Sequence, residues 1–234
     1  MRAAVVTGAA SGIGRAIAGR LVSDGWEVLA VDLAAGDGPG TSFAADLTTR
    51  EGNRAAIEAT LERFGRLDAV VPNAGVQHVA PVEEFPEDRW DAMLALLLTS
   101  LFLLARAAWP ALRESGDGRF VAVASVHGLV ASPFKSAYVS AKHGLLGLVK
   151  TLALEGAEHG ILATAVCPGY VRTPLVEKQI TDEHTLDDVI LAPHAIKRLI
   201  EPEEVADTVA FLLGPTGRAF SGAAVTMDLG WTAR

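Results

Sequence analysis

The chain has 234 residues, 50% of them apolar and 21% charged, enough to bury a large aliphatic core as one α/β unit, which excludes intrinsic disorder. The net charge is −8 and no basic run interrupts it, which excludes non-specific binding to a nucleic-acid backbone. A lone cysteine, Cys167, excludes an internal disulfide and a thiolate metal cluster, and fits a reducing compartment.

The opening apolar run, residues 3–7, is too short for a signal-peptide core and ends on a glycine turn, so a cytoplasmic protein is expected. Apolar runs at 3–7, 28–32, 69–72, 120–125, 162–167 and 223–227 read as buried strands. Helical patterns fall between them, at 12–24, 50–64, 90–113, 136–156 and 203–213. This alternation predicts one domain over residues 1–234, a doubly wound parallel sheet with helices on both faces. Residues 34–40, AAGDGPG, are too rich in Gly and Pro for a helix, which shortens the crossover after the second strand. The apolar stretch 93–104 is roughly a dozen residues where a bilayer needs ~20, and predicts a helix buried in the core or against another subunit. Residues 169–200 carry no strand or clear helix, and predict a lid over the substrate.

The first strand runs into Thr7-Gly8-Ala9-Ala10-Ser11-Gly12-Ile13-Gly14, and a helix starts within that turn. Glycines there let backbone N–H groups approach a pyrophosphate at the positive end of the helix. Asp32 ends the second strand about twenty residues further on, where a carboxylate accepts both adenosine ribose hydroxyls and repels a 2′-phosphate. With uncharged Ser11 in the turn, NAD is expected over NADP.

The Gly-x-x-x-Gly-x-Gly spacing resembles the short-chain dehydrogenase/reductase family, which implies a Rossmann-like fold. By that resemblance, Gly8, Ser11, Gly12, Ile13 and Gly14 hold the pyrophosphate, Asp46-Leu47 contacts adenine, and Asn73-Ala74-Gly75 borders the cofactor. Pro168-Gly169, Val171 and Thr173 are expected on its carboxamide and phosphate side.

Tyr138 and Lys142 form a Tyr-x-x-x-Lys motif, and residues four apart share one helical face. A phenol's pKa near 10 must fall toward neutrality for it to act as a base, at ~1.4 kcal/mol per unit, and the Lys142 charge together with the positive nicotinamide of bound NAD has the right sign of field. Ser125 lies thirteen positions before the tyrosine. The resemblance implies that Ser125 orients the substrate hydroxyl, Tyr138 takes its proton, and Lys142 lowers the phenol's pKa and holds the nicotinamide ribose. One position departs from the family: Leu97 stands where an Asn normally carries a water linked to the lysine. Thr99 and Ser100 project from other faces of that helix, so the relay is broken or rerouted there. General acid–base help is typically worth ~10²–10⁴ in rate, so a reduced turnover is expected.

Gln77, His127, Lys135 and Gln179 resemble the carboxylate-holding residues of family members that interconvert (R)-3-hydroxybutyrate and acetoacetate, and Tyr170 would wall the pocket. The lid is shortened at 181–192 relative to those members. Alternatives are another hydroxy acid, a polyol or a 3-oxoacyl substrate, or a weakly catalytic NAD-binding protein, which Leu97 keeps open. No metal and no membrane partner is expected. The apolar helices 90–113 and 136–156 imply, by resemblance, a homotetramer of dihedral symmetry, with residues 228–231 at a second subunit contact.

Overall fold

Residues 1–180 and 185–233 are described by the computed structural model. β1 (Ala3–Thr7) is buried along its whole length, and successive side chains enter opposite cores. Val5 faces one layer, while Ala4 and Val6 face the other, the period-two alternation of a strand covered on both sides. After α1 (Gly12–Ser23), β2 (Glu27–Asp32) and β3 (Thr41–Ala44) extend the sheet in one direction. α2 (Arg50–Phe64) then carries the chain to β4 (Ala69–Val71), on the other side of β1.

The next helical stretch comprises α3 (Glu87–Leu94), a π-helical turn (Ala95–Thr99) and α4 (Ser100–Glu114). β5 (Arg119–Val123), α5 (Ser136–Gly156) and β6 (Leu162–Pro168) follow. α6 (Pro174–Glu177), α7 (Pro202–Leu213) and β7 (Ala224–Met227) complete the chain order. All seven strands are parallel, in the order β3-β2-β1-β4-β5-β6-β7. Ile57, Leu104 and Leu145 of α2, α4 and α5 cover one face. Ile17 and Leu21 of α1, with Val205 and Val209 of α7, cover the other. This is the expected single Rossmann-like domain. The strand order reverses between β1 and β4, where a doubly wound sheet opens a crevice at the carboxyl ends of its strands.

Three details differ from the expectations. β3 was not among the predicted strands: TSFA is a short, half-buried edge strand reached through a Gly/Pro-rich loop, so its apolar signal is weak. The helix expected over 90–113 starts earlier and is broken by the π turn that contains Leu97. The whole stretch Glu87–Glu114 is long and apolar enough by composition to cross a membrane, yet Leu101, Leu104, Ala108 and Leu112 lie in the sheet-covering core. Finally, residues 169–200 are not wholly irregular. Besides α6 they include a π-helical segment (Thr185–Leu191), and Val171 pairs with Ile200, so the excursion closes on its own base. Val176, Ile190 and Leu199 give it a small apolar cluster together with Tyr170. Residues 181–184, inside the stretch expected to be shortened, lie outside the described residues.

Asn53 on α2 fixes the loop that follows β3. Its amide donates to the Leu47 and Thr49 carbonyls at 2.7 and 2.6 Å, and its oxygen accepts from Ser100 Oγ at 2.7 Å. Ser100 is thereby engaged away from Lys142, as its place on the helix implied.

Candidate active site

The turn after β1 is built on close approach. Gly8 has φ +66°, and a side-chain carbon there would lie 2.8 Å from Ala74 Cα. Gly12 has φ +52°, and the same addition would meet Thr173 Cγ2 at 3.1 Å. Asn73 Nδ2 donates to the Thr7 and Gly8 carbonyls at 2.9 and 3.3 Å. Thr7 Oγ1 accepts the Asn73 and Ala74 N–H groups at 2.9 and 3.0 Å. These four bonds lock the glycine turn to the end of β4, across the switch point.

A cleft of about 370 Å³ starts from this lock. Asp32, Leu33, Asp46 and Leu47 line one end, Ser11, Gly12 and Ile13 the middle, and Tyr138, Lys142 and Thr173 the other. Asp32 also caps the turn: its carboxylate accepts the Ala10 and Leu33 N–H groups at 2.9 and 2.8 Å. Asp46 is held below the usual carboxylate range by hydrogen bonds from the Thr48 hydroxyl and N–H. Asn73, Ala74 and Gly75 form the wall beside the turn, and Gly14 packs behind it against Gly8. Pro168 ends β6 and Gly169 packs on Asp228 and His194 rather than on the cleft. Val171 is buried, and its bridge to Ile200 uses the Tyr170 carbonyl and the Arg172 N–H, which leaves its own backbone groups facing the opposite side.

At the far end, Ser125 follows β5, and its Oγ accepts the His127 N–H at 3.1 Å. Lys142 Nζ donates to the Val123 carbonyl at 2.9 Å and stands 5.6 Å from the centre of the Tyr138 ring. Burial pushes the phenol up to about 12, against the opposing pull of the nearby Ser125 hydroxyl, and pulls the Lys142 ammonium down to about 8. Both shifts penalise the charged form, and in the chain alone that penalty outweighs the attraction between the two groups. The lysine does not by itself make the tyrosine acidic.

Leu97 is fully buried in an apolar cluster with Met93, Ala137 and Ala141, packed against Tyr138. A leucine side chain offers this neighbourhood neither donor nor acceptor.

The substrate end gathers two groups of residues. His127 and Lys135 are both buried; His127 Nε2 pairs with Ser132 Oγ at 2.9 Å, and its Nδ1 lies 3.4 Å from Ser125 Oγ. Lys135 Nζ donates to Tyr170 Oη at 3.2 Å and sits 5.3 Å from that ring's centre. The second group is Gln77 and Gln179, joined by a 3.1 Å amide hydrogen bond. His78 packs on Phe85 and His143 lies exposed on α5, neither in the site. Trp231 is a site residue that the sequence reading does not include: it stacks on Tyr170 at 5.3 Å and meets the His127 ring edge-on at 5.4 Å. A tryptophan near the C-terminus carries no sequence signal of that placement, which depends on the chain folding back after β7.

A family model described as enoyl-(acyl carrier protein) reductase matches residues 8–232. The chain is 42% identical to D-beta-hydroxybutyrate dehydrogenase of Rhizobium meliloti, covering 100% of this chain and 99% of that protein. It is 37% identical to the D-beta-hydroxybutyrate dehydrogenase of Cupriavidus necator, covering 100% and 98%. Among solved structures, ligand-free aldohexose dehydrogenase of Thermoplasma acidophilum superposes with a TM-score of 0.93 at 30% identity, covering 100% of this chain and 94% of that one. The chain belongs to the short-chain dehydrogenase/reductase family.

As a short-chain dehydrogenase/reductase it is an oxidoreductase that works with a nicotinamide cofactor. The cleft fits such a dinucleotide. Side-chain-free Gly8 and Gly12 leave room beside the N-terminus of a twelve-residue helix, and a carboxylate stands at the adenine end.

Burial also holds His127 down to about 4, against an ordinary value of 6.5. The unfolded chain therefore binds the proton first as pH falls, and stability is lost between those values. The expected loss from this residue is up to about 3 kcal/mol. Denaturant titrations should show His127→Gln losing less stability than the parent between about pH 6.5 and 4; parallel losses would contradict this.

Proposed function

We propose that this enzyme interconverts (R)-3-hydroxybutyrate and acetoacetate with NAD. The observation that carries the reading is Lys135. Among the described residues this buried ammonium has a neutral phenol as its hydrogen-bond partner and no carboxylate in an ion pair with it. A buried cation so placed favours an anionic ligand strongly, because the ligand's charge offsets its desolvation. Since Lys135 lies three residues before Tyr138, the anionic group would bind close to the reacting carbon. A short 3-hydroxy acid has a carboxylate and a hydroxyl at that separation; a polyol has no charge to offer. The names of the two hydroxybutyrate dehydrogenase relatives point the same way.

In this reading Ser125 holds the substrate hydroxyl oxygen and Tyr138 receives its proton. Lys142, anchored on the Val123 carbonyl, adds positive potential beneath the ring. Tyr138, Lys142 and Thr173 line the part of the cleft that would hold a nicotinamide, which when oxidised would take the hydride and add the positive field that the buried phenol needs. His127, neutral and held by Ser132, would donate a ring N–H to the carboxylate, with Gln77 and Gln179 on the other side. Tyr170 and Trp231 wall the pocket beside Lys135 and His127 and exclude water. NAD is favoured over NADP because Ser11, Asp32, Leu33 and Asp46 line the adenine end without a positive charge for a 2′-phosphate. A homotetramer in the cytoplasm belongs to the same proposal, supported by exposed Phe102 on α4 and Leu154 on α5.

A second reading, weak catalysis, has one observation in its favour: the apolar surroundings of Leu97. It makes a relay through that position inefficient rather than abolishing the chemistry. Leu97→Asn should raise kcat for alcohol oxidation several-fold, less than the ~10²–10⁴ that a complete acid–base group supplies because only one relay link is restored. No increase at any pH would dismiss the relay argument.

The substrate reading is tested by following NADH formation with (R)-3-hydroxybutyrate and its methyl ester. The acid should react and the ester should not. Lys135→Ala should raise KM for the acid ~10-fold or more, the worth of a charge-assisted hydrogen bond, and leave KM for NAD unchanged. Small, equal effects on both constants would remove Lys135 from the site.

A further inference from the structure

Tyr170 is held from behind by a residue with no assigned role. His194 follows the π-helical segment, and its side chain is fully buried. Both ring nitrogens are engaged. Nε2 accepts the Tyr170 backbone N–H at 3.3 Å, and Nδ1 faces the Arg198 carbonyl at 2.9 Å. A donor at one nitrogen and an acceptor at the other select a single neutral tautomer, with the proton on Nδ1. The ring centre also lies 6.0 Å from that of Tyr170 and 5.7 Å from that of Trp231.

Gly169 makes the approach possible, since a side-chain carbon there would lie 2.7 Å from His194 Nε2. One imidazole thus joins the turn after β6, the returning segment of residues 194–198 and the C-terminal segment that carries Trp231. Burial outweighs the nearby Asp228 carboxylate, and with the Lys197 and Arg198 cations it keeps the ring neutral, so Nε2 stays free to accept.

We propose that His194 is the positioning residue of the substrate pocket: it fixes the Tyr170 turn so that the phenol remains at Lys135 Nζ and the Tyr170–Trp231 stack stays closed. This inference rests on the hydroxy-acid reading above. His194 touches no reacting atom; it acts through the Tyr170 backbone. Displacing that turn would withdraw the phenol oxygen that accepts from Lys135 and leave the ammonium without its aim at the carboxylate. The signature is therefore a loss in substrate recognition, separable from chemistry and from cofactor binding.

The test compares the parent enzyme with His194→Phe, which keeps a ring but loses both hydrogen bonds, and His194→Gln, which can accept through Oε1 and donate through Nε2. The Phe variant should raise KM for (R)-3-hydroxybutyrate about tenfold, the equivalent of one lost hydrogen bond, with kcat and KM for NAD nearly unchanged. The Gln variant should restore most of that loss. In a Lys135→Ala background the Phe change should add little, because both act on one contact. If the Phe variant does not fold, His194→Asn, too short to reach both partners, takes its place. An unchanged KM, an equal fall in kcat, or failure of Gln to restore binding would overturn the role of His194. A parent enzyme that binds NADH but turns over no 3-hydroxy acid would overturn the substrate reading, and this inference with it.

Discussion

Tyr138 and Lys142 lie one helical turn apart on α5, and burial moves them in opposite directions: the phenol up to about 12 and the ammonium down to about 8. Each group resists its charged form, so proton abstraction at this site is costly until positive charge gathers beside the phenol. The chain supplies part of that charge by seating Lys142 on the Val123 carbonyl, which sets where the ammonium sits, and part of the stabilisation through Ser125. In the proposed reading the remainder would come from an oxidised nicotinamide held in the cleft, so that occupancy of the cleft would govern when Tyr138 can take a proton.

The fold delivers that coupling by bringing two strand ends together. The reversal of strand order between β1 and β4 opens the crevice, and the Asn73–Thr7 bonds close its floor. α5 then presents Tyr138 and Lys142 along the same cleft that begins at Asp32. Around the reacting end, polar and aromatic groups are layered. Lys135 meets Tyr170, Tyr170 stacks on Trp231, and His194 backs both rings. Leu97 lies behind Tyr138, fully buried in an apolar cluster at the π turn.

Much of this was legible in the residues, for physical reasons. α2 and α5 run between the bounds read from their periodicity, because their apolar faces are long and their ends carry clear breaks. The glycine turn and the Tyr-x-x-x-Lys face could be read because each depends on local spacing. β3 could not, since four half-buried edge residues leave little hydrophobic pattern. The π turn was hidden, as one extra residue per turn barely disturbs an all-apolar stretch. Trp231 and His194 reach the pocket through tertiary folding alone. The burial that opposes the Tyr138 phenolate is likewise a product of tertiary folding, which the neighbouring charge in the sequence does not show.

The central claim is that the Tyr138 phenol carries the proton while other residues hold the cofactor. Replacing that hydroxyl with hydrogen, Tyr138→Phe, and measuring both NADH affinity and turnover of (R)-3-hydroxybutyrate tests it most directly. The account predicts an NADH Kd close to that of the parent and a kcat lower by about 10²–10⁴. Turnover equal to the parent's in that variant would contradict it.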